Sequence, residues 1–167
     1  MTRILVAGIG NIFWGDDAFG VEVARRLSER TLPAGVKVVD FGIRGFDLAY
    51  ALLADFDAAI LLDVVRRGGA PGTLYVIEPE IDTGAEANPT AARVETHGMD
   101  PVRALRLVAA LGGELQKLRL VGCEPARLGT DDEMSMGLSE EVASAVDPAT
   151  RLVEELVASM QEEAQHA

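Results

Sequence analysis

A chain of 167 residues with 49% hydrophobic and 25% charged residues is long enough for one domain with a full core. Its net charge of −12 argues against nucleic acid and anionic membrane surfaces, which are bound through basic patches. No apolar run reaches the roughly 20 residues of a spanning helix, and the single cysteine, Cys123, excludes an internal disulfide or a multi-cysteine metal site.

The start, MTRILVAGIGN, does not read as a signal peptide, because its apolar part is short and leads directly into a strand. A reduced, cytoplasmic location is expected. Ile4 to Ala7 is that strand, and Gly8, Gly10 and Asn11 break it into a tight turn. The adjacent carboxylates Asp16 and Asp17 follow, then an amphipathic helix with Val21, Ala24 and Leu27 on its inner face, widened by Val23. Neighbouring residues at a helix start point about 100° apart, so only one of the two acids can face a site squarely. Asp17 is assigned to it and Asp16 to a helix cap.

Leu32 to Gly35 is a turn and Val36 to Phe41 a second strand. A helix is predicted over Asp47 to Asp55, with Asp47 as N-cap. Ala58 to Leu62, a wholly apolar strand, is expected at the centre of the sheet and ends at Asp63. The next strand, Gly72 to Ile77, follows after too few residues for a crossover, which takes about a dozen or more. It should therefore run antiparallel, and the polar segment from Glu78 to Met99 must carry the chain back. Asp100 reads as an N-cap before Pro101, and Val102, Leu105 and Ala109 as the inner face of a helix stopped at Gly112-Gly113. Leu118 to Gly122 is the fifth strand. After an acidic, glycine-containing loop, Ser139 caps a helix that Asp147-Pro148 should interrupt or kink.

The whole chain, 1–167, is thus predicted as a single α/β domain, a three-layer α/β/α sandwich. Its five-stranded mixed sheet should have the order 2-1-3-5-4, with strand four antiparallel at an edge. Asp17, Asp63 and His97 should share the edge where open α/β folds keep their sites. Two carboxylates and an imidazole suit zinc or nickel with positions left open. Taken singly, the three also read as a helix-start acid, a turn cap and a loop histidine. Gly8-Ile9-Gly10 and Asp40 form half of a dinucleotide fingerprint, but Phe13 stands where the third glycine belongs and Trp14 adds bulk. Cys123 ends strand five near the site and is read as a packing residue.

Together these segments resemble the maturation endopeptidases of nickel-iron hydrogenases. The resemblance is carried by GIGNIFWGDDAFG at 8–20, DFGIRG at 40–45, ILLDVV at 60–65, GGAPGTLYVIE at 68–78, THGMDP at 96–101 and LVGCEP at 120–125. It implies a cytoplasmic, aspartic-type peptidase that removes a C-terminal extension from the hydrogenase large-subunit precursor once nickel is inserted. It makes Asp17, Asp63 and His97 the catalytic and metal-contacting residues and gives substrate contacts to Asn11, Asp40 and Gly42. The nickel would come with the precursor, with zinc or cadmium as surrogates. Two departures stand out: Phe41 and Ile43 replace a glycine and a threonine that many members carry, and position 17 is Asp where some have Glu. A non-catalytic nickel-sensing maturation chaperone would need the same triad, and a dinucleotide-binding protein is the third reading.

Overall fold

In the computed structural model, residues 1–79, 101–113, 117–130 and 132–166 are described. The strands are β1 (Ile4–Ile9), β2 (Val36–Gly42), β3 (Ala58–Val64), β4 (Leu74–Ile77) and β5 (Lys117–Cys123). They form one sheet in the order β2-β1-β3-β5-β4. β1, β2, β3 and β5 are parallel, and β4 pairs antiparallel with β5. The short connection after β3 thus has the consequence expected of it. β4 begins at Leu74 rather than Gly72, because Gly72 takes a φ of +88° and its N–H donates to the Glu124 carbonyl at 2.8 Å. Residues 70–73 close a turn instead of extending the strand.

Alternation along the central strands divides the core into two layers. Ile4 and Val6 of β1 and Ala58, Ile60 and Leu62 of β3 face one side, where they meet helices α1 (Phe19–Ser28) and α4 (Glu140–Gln165). Leu5, Ala7, Ile9, Ala59 and Leu61 face the other, against α2 (Gly45–Leu53) and α3 (Pro101–Ala110). All six residues of β1 are buried, as a strand covered on both faces requires.

Two helix details here differ from the sequence reading, and the stop of α3 agrees with it. Arg44, not Asp47, holds the cap position of α2 without a capping side-chain bond, and Asp47 lies in the first turn, 3.2 Å from the Arg44 guanidinium. The buried face of α3 is Ala104, Leu105 and Val108, with Val102 exposed, because the helix is turned toward its neighbour α2. Gly112 ends α3 at a φ of +82°, and the Gly113 N–H reaches back to the Val108 carbonyl at 2.9 Å.

α4 runs unbroken through Pro148. Pro148 lies on the exposed side, so the carbonyl it leaves without an N–H faces water. The buried stripe Val142, Val146, Ala149, Val153 and Val157 continues on both sides of it. Burial of roughly 1.5–3 kcal/mol per large side chain outweighs the roughly 3 kcal/mol cost of an interior proline. Ser139 caps α4 as expected, its Oγ accepting from the Val142 N–H at 3.4 Å.

Candidate active site

The carboxyl end of the sheet is drawn tight by glycines. A Cβ on Gly8 would come within 2.6 Å of the Gly20 carbonyl, and one on Gly10 within 1.8 Å of the Asp17 carbonyl. One on Gly20 would meet the Leu62 carbonyl at 2.0 Å. These positions let a short 3-10 turn, Asp16–Ala18, and the start of α1 press onto the ends of β1 and β3. The close approach that a dinucleotide fingerprint reserves for a pyrophosphate is made here by residues 17–20 of the chain itself.

Asp17 therefore sits at the sheet edge, half-buried, its Oδ2 accepting the Asn11 N–H at 2.7 Å. Burial raises its carboxyl above the usual aspartate range, and the Asn11 bond offsets part of that rise. Asp63 is the penultimate residue of β3 and is buried, with Oδ1 accepting the Val64 N–H at 2.8 Å. The 3-10 turn that carries Asp17 packs on β3, so the two acids lie on neighbouring segments of one edge. His97 and the expected cap Asp100 lie outside the described residues. Among the described residues no three histidine, cysteine or carboxylate side chains form a metal-holding group.

Asp16 departs from its expected role as a helix cap. It is fully buried, and α1 has no capping side-chain bond. Its Oδ2 accepts the N–H groups of Ala126 at 2.9 Å and Arg127 at 2.8 Å and the Ser139 hydroxyl at 2.9 Å. Its Oδ1 accepts the Ser139 N–H at 2.6 Å. One carboxylate thus pins both ends of the loop between β5 and α4. Isolated bridges of Trp14 to Ser135 and Gly15 to Leu128 fasten the middle of that loop to the same turn.

Beside Asp17 a groove of about 330 Å³ opens at the end of β1 and β2. Asn11, Asp40 and Gly42 all line it, with Phe41, Ile43 and Arg44. The register slips by one residue between Gly8↔Asp40 and Ile9↔Gly42, a bulge that turns the end of β2 toward the opening. The Arg44 guanidinium braces this end, donating to the carbonyls of Asp40 at 2.6 Å and Phe41 at 3.2 Å. In the sequence Arg44 stood out only as part of the segment 40–45. Its place four residues past the exposed strand-end acid Asp40 was the available sign.

Of two further groups near this edge, Cys123 packs as its sequence reading has it, and Glu124 was missed. Cys123 is buried, and its thiol is pushed up to about 12 by burial and then by the nearby Asp16 and Glu124 charges, so it supplies no nucleophile. Glu124 is also buried, and its Oε1 accepts the N–H groups of Arg67 and Gly69, each at 2.8 Å, and the Tyr75 hydroxyl at 2.9 Å. Burial pushes this carboxyl up, but the donors together outweigh it and hold it below its ordinary value. It secures the connection that follows Asp63.

Comparison with known proteins places this geometry. A family profile described as hydrogenase maturation protease matches residues 21–156, a span that includes Asp63 and His97 and begins just after Asp17. The hydrogenase 2 maturation protease of Escherichia coli is 32% identical over 162 residues, covering 96% of this chain and 92% of that protein. The solved structure of the hydrogenase maturating endopeptidase HybD from E. coli superimposes with a TM-score of 0.75 at 30% identity, covering 97% of this chain and 94% of that one. A hydrogenase 2 maturation peptidase from Thaumarchaeota archaeon SCGC_AB-539-E09 gives a TM-score of 0.69 at 35% identity, covering 94% of this chain and 99% of that one.

Proposed function

The chain belongs to the hydrogenase maturation protease family, and on that footing we propose that it removes the C-terminal extension of a nickel-loaded hydrogenase large-subunit precursor. The observation that carries this reading is the position of Asn11. Its N–H holds the Asp17 carboxylate, and the residue itself lines the groove beside Asp40 and Gly42. A peptide lying in the groove is thereby brought against the acid edge. Asp17, Asp63 and His97 would contribute ligands to the nickel that the precursor brings, so that recognition of a loaded precursor and assembly of the reacting geometry coincide.

The chemistry is hydrolysis of one amide. Water adds to the scissile carbonyl carbon, the C–N bond breaks, and the leaving nitrogen takes a proton to become the free amine of the released extension. An edge carboxylate would accept the proton of the attacking water and return it to that nitrogen. Asn11, Asp40 and Gly42 would orient the peptide.

Nickel-loaded precursor incubated with the protein should lose the mass of a short C-terminal peptide. The Asp17→Ala and His97→Ala variants should leave it intact, and calorimetric titration with nickel or its surrogates cadmium and zinc should show their binding lost. Unchanged precursor mass despite confirmed binding would favour the nickel-sensing chaperone instead.

A further inference from the structure

Eleven large apolar side chains are exposed among the described residues, and six of them gather around the groove. Ile12, Phe13 and Ile43 line it. Phe46, 73% exposed, stands three residues past Ile43 in the first turn of α2. On the other side the Ser135 N–H donates to the Phe13 carbonyl at 2.9 Å, which sets Met134 and Met136, 67% and 70% exposed, beside Phe13 and Trp14. Scattered apolar residues need no explanation, but a contiguous collection marks an interaction surface. The methionine loop is also held rigidly, through both ends at Asp16.

We propose that this collar is a docking surface for the folded body of the precursor, apart from its scissile tail, and that it fits an apolar patch fringed by lysine or arginine. The assignment rests on the groove being the precursor site, with which the collar is continuous. Charge chooses the partner's chemistry. Asp40, Asp47, Asp132 and Glu133 are exposed along the collar, on a chain of net charge −12. The Arg44 guanidinium is already engaged by Asp47 and by the carbonyls of Asp40 and Phe41, leaving Arg127 as the exposed cation of the methionine loop. A basic fringe on the partner would be steered in by this field, and apolar contact would hold it. Flexible methionines suit a surface that must fit a partner's irregular relief.

The test is a triple variant, Phe46→Ser, Met134→Ser and Met136→Ser, outside the groove and the acid edge. Cleavage kinetics and binding of nickel-loaded precursor should be measured for the wild type and the variant, alongside thermal midpoints and sedimentation. The variant should keep its midpoint and its kcat while KM rises about tenfold or more. Wild-type association should slow as salt is raised through several hundred millimolar. A wild type that cleaves, beside a variant of unchanged KM, overturns the collar and leaves the peptidase reading standing. A wild type that binds precursor without cleaving it, with binding lost in the variant, overturns the cleavage and leaves the collar standing. Absence of both binding and cleavage removes both. A wild-type dimer that the variant abolishes, with precursor KM unchanged, assigns the collar to a second copy of this chain and overturns the proposal.

Discussion

Replacing Asp16 by alanine removes four acceptor contacts at once, three from backbone N–H groups and one from the Ser139 hydroxyl. A helix cap is worth about 1 kcal/mol, but this carboxylate is fully buried and holds segments 110 to 123 residues away. Each stranded donor costs roughly 1–3 kcal/mol, and partial relaxation keeps the sum below simple addition, so a loss of roughly 4 kcal/mol is expected. At roughly 2–4 °C per kcal/mol for a chain of this size, the thermal midpoint should fall by about 10 °C or more. Asp16→Asn should lose roughly half as much, because its amide oxygen can still serve one group of donors while its NH2 opposes another. The assay is urea denaturation at fixed pH, with midpoints compared at constant m. An Asp16→Ala variant that loses no more than about 1 kcal/mol would refute the keystone role and restore the cap.

Asp17→Asn should be at least as stable as the wild type at neutral pH. A carboxyl raised in the folded state contributes stability below its unfolded value that is lost as pH rises through the folded one. The variant's advantage should therefore vanish as pH falls through the carboxylate range, as read from denaturation at pH 4 to 8. Glu124 carries the opposite sign: its folded value is depressed, so its contribution is present above its ordinary 4.5 and lost as pH falls through the folded value. Glu124→Gln should flatten the acid limb of the stability profile, and Glu124→Ala should in addition lower stability throughout. Cys123 should resist iodoacetamide at pH 8 in the native protein and react readily in denaturant, as followed by mass spectrometry.

The sheet was legible because its determinants are local or simply counted. The unbroken apolar run of β3 and the shortness of the connection after Asp63 are enough to place β3 centrally and to reverse β4. Asp17 and Asp63 followed, since a residue at the end of a parallel strand or at the start of the next helix must lie at one edge. The role of Asp16 could not be read, because its partners are Ala126, Arg127 and Ser139 and no periodicity links positions so far apart. Of the two outcomes expected at Pro148, interruption does not occur, for a related reason. The rule against interior proline weighs one turn, whereas the buried stripe of α4 spans the whole helix. In α3 the pattern Val102, Leu105, Ala109 was a valid helical face, but the packing of α2 selected the adjacent one.

The pair Asp16-Asp17 explains why two acids stand together where one would serve chemistry. In a 3-10 turn, with three residues per turn, neighbours point about 120° apart, so the two carboxylates cannot compete for the same partners. Asp16 turns inward and is saturated by donors from the loop before α4, while Asp17 turns toward Asn11 and keeps a single hydrogen bond among the described residues. Rigidity supplied by the first fixes the backbone of the second. Asp17 can then remain half-buried and underbonded without the turn rearranging to satisfy it. Glu124 binds the connection that follows Asp63 through Arg67 and Gly69. Asp17 thus has a saturated carboxylate beside it in the chain, and the hydrogen bonds that hold its turn in place are made by that neighbour.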